Sequence, residues 1–164
     1  MGYFYNLEKL KYIKEKGPEG CILCLIGEGD SQVEDLTVYR GEDFLVSVNL
    51  YPYNPGHLLI FPRRHLLDMR ELTVEESARL AVLEKYFIQA LDDIYSPHGF
   101  NMGYNMGRDA GGSIDHLHLH IIPRYRGEVG IADIVAGQRM LVELPEKTRQ
   151  RILDYMEDHP IPGC

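Results

Sequence analysis

The segment HLHLHII, residues 116–122, limits the fold of this 164-residue chain more than any other feature. In an extended strand alternate side chains lie on the same face, so the three histidines would share one face and the aliphatic residues the other. On a helix, successive histidines would lie about 200° apart around the axis and could not act together. The segment therefore predicts a β-strand that buries its leucines and presents a row of imidazole rings.

Hydrophobic patterning along the rest of the chain predicts an α+β fold with an antiparallel sheet. Five strands are expected, at 36–40, 44–49, 57–61, 100–105 and 116–123. Gly41-Glu42-Asp43 separates the first two and indicates a hairpin, and the turn residues Asn54-Pro55-Gly56 precede the third. Short helices are expected at 6–16 and 145–158.

The longest predicted helix runs from Val74 to about Tyr95. Thr73 and Glu76 have the spacing of a capping box, whose two side chains accept hydrogen bonds from backbone N–H groups at the start of a helix. Six apolar residues are expected to form the buried stripe of this helix: Leu80, Ala81, Leu83, Phe87, Leu91 and Ile94.

Charge and hydropathy exclude several classes of partner. The net charge is −8, so a positive field that attracts nucleic acid is not expected. No run of 18 or more apolar residues occurs, which argues against a membrane span. The N-terminal segment MGYFYNLEKLKYIKEKG has charges where a secretory signal needs an apolar stretch, so we expect a cytoplasmic protein.

The histidine face itself allows three interpretations. One metal ion cannot easily bind all three rings, because His116 and His120 lie roughly 13 Å apart on a straight strand, but an adjacent pair can share a metal. Alternatively, one imidazole attacks phosphorus while its neighbours fix its tautomer and bind phosphate oxygens. The third interpretation is a set of hydrogen-bonded histidines with no chemical role. The glycine-rich segment 105–113 favours phosphate chemistry, because its backbone N–H groups can approach an anion.

Two segments resemble the histidine triad (HIT) family of nucleotidyl hydrolases and transferases. HLHLHII fits the family signature His-φ-His-φ-His-φ-φ, where φ is apolar, and NLYPYNPGHLLIFPRRH, residues 49–65, resembles its second signature. The resemblance spans about residues 21–124 and implies a single HIT domain over residues 1–164, with a C-terminal extension at 127–164. The implied fold is a five-stranded antiparallel sheet with one long helix and shorter terminal helices. It also implies a homodimer with the long helix near the interface, where an otherwise exposed Leu/Phe stripe would be covered.

The same resemblance implies roles for individual histidines. His118 matches the nucleophile that attacks an α-phosphorus and forms a nucleotidyl-histidine intermediate. The second ring nitrogen of His118 would keep its proton, bonded to a backbone carbonyl that fixes the tautomer. His120 and His57 match the flanking histidines, and Ser113 completes the implied catalytic set.

Substrate-binding positions follow from the resemblance in the same way. Asn105 and Ser113 match residues that contact phosphate or the leaving group. Asn49 matches the ribose-binding position, although a turn asparagine often bonds only locally. Gly111 belongs to the implied phosphate-binding loop, and Gly112 stands where many members carry glutamine, so we expect it to open space beside the α-phosphate. Gly-Gly-Ser resembles the branch of bacterial diadenosine tetraphosphate phosphorylases and related hydrolases, which implies that inorganic phosphate competes with water as acceptor.

The pair Cys21 and Cys24 has zinc-knuckle spacing, but no second Cys-x-x-Cys follows. From spacing alone the pair fits metal binding, redox chemistry or core filling, and two histidines could complete a Cys2His2 site. Resemblance to zinc-bearing relatives of the family implies His65 and His116 as those histidines. A structural zinc ion is therefore expected.

The expected function is a nucleotidyl hydrolase or phosphorylase that cleaves dinucleoside polyphosphates or related nucleotide conjugates. Two alternatives remain open. The first is a nucleotide-binding interaction protein of the HIT family with weak phosphoramidase activity, since a fold alone does not fix turnover. The second is a metal-dependent hydrolase that uses a His-x-His pair.

Overall fold

A computed structural model describes residues 19–128 and 143–163, which form a five-stranded antiparallel sheet and three α-helices. The strands are β1 (Thr37–Arg40), β2 (Phe44–Val48), β3 (Leu58–Pro62), β4 (Gly99–Tyr104) and β5 (Leu119–Arg124), in the sheet order β1-β2-β3-β5-β4. The helices are α1 (Ile22–Glu28), α2 (Val74–Tyr95) and α3 (Pro145–Asp158). Each of these strands and the two longer helices lie where the sequence predicts them, within a few residues. The predicted helix at 6–16 lies outside the described residues.

Two turns position the strands that carry the site. The Gly41 N–H donates to the Phe44 carbonyl at 2.9 Å and closes the predicted β1–β2 hairpin. In the turn before β3, the His57 N–H donates to the Asn54 carbonyl at 3.1 Å. Gly56 has a φ of 81°, and a Cβ there would lie 3.0 Å from the side chains of both Leu91 and Pro123. Glycine at position 56 therefore allows the chain to turn closely against the core before it reaches His57.

The long helix α2 begins and ends as predicted, and Thr73 and Glu76 form both hydrogen bonds of the capping box. The predicted stripe is correct for Leu80, Leu83, Phe87 and Leu91, which are buried, while Ile94 is only half-buried. Ala81 was predicted wrongly, because it is exposed and Ala90 is buried in its place. At about 100° per residue Ala81 lies roughly 160° from Leu83 around the helix, whereas Ala90 lies about 20° from it.

The sheet has a buried cluster on each face. On one face α2 and α3 pack against the strands, with Phe87 and Ile152 fully buried. On the other face Leu23 and Ile26 of α1 pack against Phe61. The argument that the Leu/Phe stripe of α2 needs a second chain is therefore wrong, because the chain's own sheet and α3 cover it. Within the described residues no helix combines the length and the hydropathy of a membrane span.

The histidine segment enters the sheet later than predicted. The ladder of β5 starts at Leu119, so His116 and His118 precede it. The Leu117 N–H donates to the Leu66 carbonyl at 2.6 Å, in the loop after β3, instead of continuing a β-ladder. Leu117, Leu119 and Ile121 are buried as expected. His116 and His118 are buried as well, so the histidine face is not an open row of rings.

Candidate active site and metal centre

His118 is held in one orientation by the backbone two residues before it. Its Nδ1 lies 2.7 Å from the carbonyl oxygen of His116, which can only accept a hydrogen bond, so Nδ1 carries the proton. In a neutral ring the lone pair is then on Nε2. The expected hydrogen bond from His118 to a backbone carbonyl is confirmed, and it leaves the ring in the tautomer that a nucleophile requires.

His57 and His120 form a directional chain of hydrogen bonds. The Tyr53 backbone N–H donates to His57 Nδ1 at 3.1 Å, so the proton of a neutral His57 ring is on Nε2. His57 Nε2 lies 3.0 Å from His120 Nδ1 and donates to it, which leaves the proton of His120 on Nε2. The rings of His118 and His120 lie 4.8 Å apart between centroids at an angle of 69°. The three predicted histidines are thus brought together, each with an assigned tautomer.

Strand register explains how these histidines meet. Antiparallel pairing sets His120 opposite Leu59 of β3 on one side and Gly103 of β4 on the other. His57 directly precedes β3 and is fully buried beside β5. The ring of Tyr53 stacks on His57 at 5.2 Å between centroids and 16° between planes, and its own surface is 46% exposed. His57 is therefore covered by an aromatic ring at the mouth of the site.

Asn49 bonds within its own turn. Its Oδ1 accepts from the Tyr51 N–H at 3.1 Å, and its backbone N–H donates to the His57 carbonyl at 2.9 Å. The Nδ2 of Asn49 lies 3.3 Å from His57 Nδ1. Local hydrogen bonds therefore occupy part of the Asn49 side chain, as expected for a turn asparagine. Asn49 nevertheless also lines a cleft, which keeps it in contact with any molecule bound there.

The cleft beside Asn49 lies between α1 and the first strands of the sheet. Its cavity volume is about 80 Å³, smaller than a complete small-molecule site, and the cleft is open to solvent, so a bound molecule would lie partly outside it. Its walls are mainly aliphatic, and the polar side chains among its described lining residues are Glu34, Ser47, Asn49 and Tyr51. Such walls offer apolar contact to part of a bound molecule.

The glycine loop leads from β4 to the histidine segment. Asn105 follows β4 directly, and both Asn105 and Ser113 are exposed to solvent. Gly111 has a φ of 86°, a conformation that favours glycine. Tyr104 pairs with Leu119, so the loop starts beside the residues that follow His118. The loop therefore lies next to the histidines in the fold.

The expected role of Gly112 is wrong in one respect. A Cβ at this position would lie 2.8 Å from the carbonyl oxygens of both Asn105 and Gly107. The Gly112 N–H also donates to the Gly107 carbonyl at 3.1 Å. The missing side chain therefore does not open space for a phosphate, because the backbone of the loop fills that space.

Four side chains form a second cluster: Cys21, Cys24, His65 and His116. One ligand atom from each lies within 4.8 Å of all the others. His116 Nδ1 lies 3.3 Å from Cys21 Sγ and 3.5 Å from Cys24 Sγ, and His65 Nδ1 lies 3.3 Å from Cys24 Sγ. A tetrahedral zinc ion with ordinary bond lengths holds such sulfur and nitrogen atoms about 3.5 Å apart. The donor set and its spacing therefore fit zinc.

The surroundings of this cluster orient His116. Its Nε2 lies 2.9 Å from the Pro62 carbonyl oxygen, which fixes the proton on Nε2 and directs Nδ1 toward the two sulfur atoms. Burial lowers the pKa of His116 to about 4, so the ring is neutral near pH 7. The same residue that offers Nδ1 to the cluster offers its carbonyl oxygen to His118. His116 thus connects the candidate metal centre to the candidate nucleophile.

Two arginines near His65 have structural partners. The guanidinium of Arg64 donates twice to the Glu76 carboxylate, at 2.7 Å each, and Arg63 donates to the Gly41 carbonyl at 3.1 Å. The Arg64 bonds hold the loop after β3 on the first turn of α2, and the Arg63 bond holds it on the β1–β2 turn.

The sequence did not identify the Tyr53 N–H as part of the histidine site or Glu34 as part of the cleft, because a backbone group and a distant loop residue carry no motif.

The antiparallel sheet and its histidine chain define a site suited to reaction at phosphorus. A family model for the HIT domain matches residues 30–127. The chain belongs to the HIT family. It is 40% identical over 121 residues to a protein named AP-4-A phosphorylase from Mycobacterium tuberculosis, and the alignment covers 73% of this chain. The chain covers 62% of that relative, less than two thirds of its length.

Two further matches are informative. The chain is 34% identical over 100 residues to a bis(5'-nucleosyl)-tetraphosphatase (asymmetrical) from Schizosaccharomyces pombe, covering 61% of this chain and 55% of that protein. Among solved structures it is similar to a hypothetical histidine triad nucleotide-binding protein from Sulfolobus tokodaii, with a TM-score of 0.69 and 30% identity. That match covers 84% of this chain and 93% of the other. The five-stranded antiparallel α+β fold is shared with this solved structure.

Proposed function

We propose that this protein cleaves dinucleoside polyphosphates, such as diadenosine tetraphosphate, or related nucleotide conjugates, through a nucleotidyl group held on His118. The observation that carries the proposal is the hydrogen bond from His118 Nδ1 to the His116 carbonyl. It leaves the lone pair of a neutral ring on Nε2. The similarity to relatives named AP-4-A phosphorylase and bis(5'-nucleosyl)-tetraphosphatase supports the choice of substrate.

In the first step His118 Nε2 attacks the α-phosphorus, and the bond from this phosphorus to the bridging oxygen breaks. The leaving polyphosphate takes the electron pair of that bond, and His120 donates the proton on its Nε2 to the leaving oxygen. The His118 ring becomes positively charged, and its Nδ1–H strengthens the bond to the His116 carbonyl. His57 fixes the tautomer of His120, because its own Nδ1 accepts from the Tyr53 N–H.

In the second step an acceptor attacks the same phosphorus, and the electron pair of the P–N bond returns to His118. His120 Nε2, which lost its proton in the first step, takes the proton of the acceptor. Water as acceptor converts diadenosine tetraphosphate to AMP and ATP, whereas inorganic phosphate converts it to ADP and ATP. The nucleoside of the held nucleotide occupies the cleft beside Asn49. Asn105, Gly111, Gly112 and Ser113 belong to the loop that faces the phosphates. The N–H groups of Gly111 and Gly112 donate to carbonyls of the same loop, so the side chains of Asn105 and Ser113 are the principal donors.

We further propose that Cys21, Cys24, His65 and His116 hold one zinc ion, supported by the spacing of their ligand atoms. Bound zinc would supply a cross-link among α1, the loop after β3 and the segment before β5. His116 would then be held on both ring nitrogens, which fixes the carbonyl oxygen that His118 uses. The role of this zinc is structural, because all four of its ligands come from the protein.

We also propose that two chains form a homodimer. The stripe of α2 does not support this proposal, but β4 does. It is an edge strand of the sheet, and three of its six residues are exposed, including Met102 at 41%. An exposed strand edge with apolar side chains is a ready surface for pairing with another chain.

Product analysis tests the function. The protein is incubated with diadenosine tetraphosphate, with and without inorganic phosphate, and the nucleotides are separated by ion-exchange chromatography. We expect AMP and ATP without phosphate, and ADP with ATP when phosphate is present. If the products do not change when phosphate is added, the proposed phosphorylase activity is contradicted and the proposed hydrolase activity is not. Tight AMP binding with no turnover would favour a nucleotide-binding interaction protein instead.

A further inference from the structure

The cleft beside Asn49 contains one charged side chain among its described lining residues. Eight of these residues are aliphatic: Ile22, Leu23, Ile26, Leu36, Val48, Leu50, Leu59 and Ile114. The charged one is Glu34, which is exposed and precedes β1. Aliphatic walls hold any purine ring, and they do not distinguish one purine from another. Any selection of the base therefore depends on the few polar groups, of which a carboxylate is the strongest acceptor.

Glu34 lies at the end of the sheet that carries Asn49. Antiparallel pairing brings the start of β1, the end of β2 and the start of β3 to one end of the sheet, so Glu34, Asn49 and His57 lie there. The pairing of Leu119 with Ile60 sets His118 further along β3, toward the other end of the sheet. The Val48 N–H donates to the Leu36 carbonyl at 3.0 Å, so the chain around Glu34 runs beside the end of β2. Across the sheet β1 and β5 are three strand spacings apart, or about 14 Å, and the offset along the strands adds to this distance. A nucleotide with its phosphate at His118 and its ribose near Asn49 would extend its base toward Glu34.

We infer that Glu34 recognises the Watson–Crick edge of guanine and gives this site a preference for guanosine nucleotides over adenosine nucleotides. The inference rests on the proposed nucleotide site and names the base it favours. Guanine offers two adjacent donors on that edge, N1–H and the N2 amino group, which match the two oxygens of a carboxylate. Adenine offers one donor, the N6 amino group, beside an acceptor at N1. One carboxylate oxygen would therefore face a lone pair of adenine.

The substitution Glu34→Gln tests the inference, because it should remove or reverse the preference for GMP over AMP. A glutamine amide has one acceptor and one donor, which match the N6 amino group and N1 of adenine. The substitution keeps the shape of the side chain and removes its charge. A good bidentate pair discriminates between bases by a factor of about 5 to 150, and exposure to solvent puts Glu34 near the lower end. We expect the wild-type protein to bind GMP about tenfold more tightly than AMP, and Glu34→Gln to bind AMP at least as tightly as GMP.

Isothermal titration of the full chain with GMP and with AMP measures these affinities. The matched control is Glu42→Gln, which removes a charge from an exposed residue of the β1–β2 turn outside the cleft. This control is expected to keep the wild-type preference, and a thermal melt of each variant checks that it is folded. Equal affinities for GMP and AMP in the wild-type protein would overturn the role of Glu34 and leave the nucleotide site intact. Failure of both nucleotides to bind would overturn the nucleotide site and this inference together.

Discussion

Replacing Gly112 with alanine tests whether the glycine loop must keep its observed shape for the reaction. The new Cβ would lie 2.8 Å from two carbonyl oxygens, whereas ordinary contacts begin near 3.4 Å. Both neighbours are backbone atoms of Asn105 and Gly107, so no side-chain rotation relieves the overlap. Overpacking of this kind costs about 1–3 kcal/mol when the surroundings stay in place. The exposed loop is expected to open instead, with loss of the hydrogen bond from the Gly112 N–H to the Gly107 carbonyl.

Opening of the loop moves the side chain of Ser113 away from the phosphates while the core is unchanged. A displacement of about 1 Å in positioning groups costs on the order of 100-fold in rate. We therefore expect Gly112→Ala to lower kcat/KM for diadenosine tetraphosphate by about 10- to 100-fold, with little change in melting temperature. Initial rates and a thermal melt measure the two effects.

Gly99→Ala is the matched control for this substitution. Gly99 begins β4, and a Cβ there would meet no atom within 4 Å. The control is expected to keep the wild-type rate. A wild-type kcat/KM in Gly112→Ala would refute the reasoning, because the loop would then tolerate a shape that the overlap forbids. An equal loss of rate in Gly99→Ala would also contradict it.

Three further predictions concern stability, metal and assembly. Glu76→Gln should lower the free energy of unfolding at pH 7 by about 1–2 kcal/mol, since the half-exposed Arg64 guanidinium weakens the pair. Hydrogen bonds from Arg64 lower the pKa of Glu76 from 4.5 to about 2. This stability is present above pH 4.5 and is lost as the pH falls toward 2, so urea titrations should show the difference between wild type and variant shrink over that range. Elemental analysis of protein purified without chelator should find one zinc per chain, and chelation or Cys24→Ser should lower the melting temperature, whereas metal-free protein would contradict the zinc site. Sedimentation at micromolar concentration should give twice the chain mass of 18.8 kDa, and a stable monomer would contradict the homodimer.

The sequence predicted most elements of the fold because their signals are local. A capping box and a Ser-Pro-His-Gly turn mark the two ends of α2, and both are readable within a few residues. The error at Ala81, which was predicted to be buried although Ala90 is buried instead, shows the limit of prediction from local sequence. Alanine is small and apolar wherever it occurs, so only the direction of its Cβ relative to the sheet decides whether it is buried.

The candidate site was predictable where side chains carry the chemistry. Cys21 and His116 are 95 positions apart, and resemblance to zinc-bearing relatives was needed to pair them. Backbone groups were not predictable to the same degree. The Tyr53 N–H sets the tautomer of His57, and the carbonyl oxygens around Gly112 occupy space expected to be open. Such contacts depend on the path of the backbone, and they cannot be predicted from residue type because every residue has the same backbone groups.

Detection of a nucleotidyl group on His118 tests the proposed mechanism most directly. The wild-type protein is mixed with diadenosine tetraphosphate, quenched rapidly in alkali and digested, and the peptide that contains residues 116–124 is analysed by mass spectrometry. We expect this peptide to carry one adenylyl group that is stable in alkali and lost in acid, as phosphoramidates are. In His118→Ala the adduct should be absent and turnover should fall by several powers of ten, while AMP still binds. Near-normal turnover in His118→Ala would contradict the proposed mechanism.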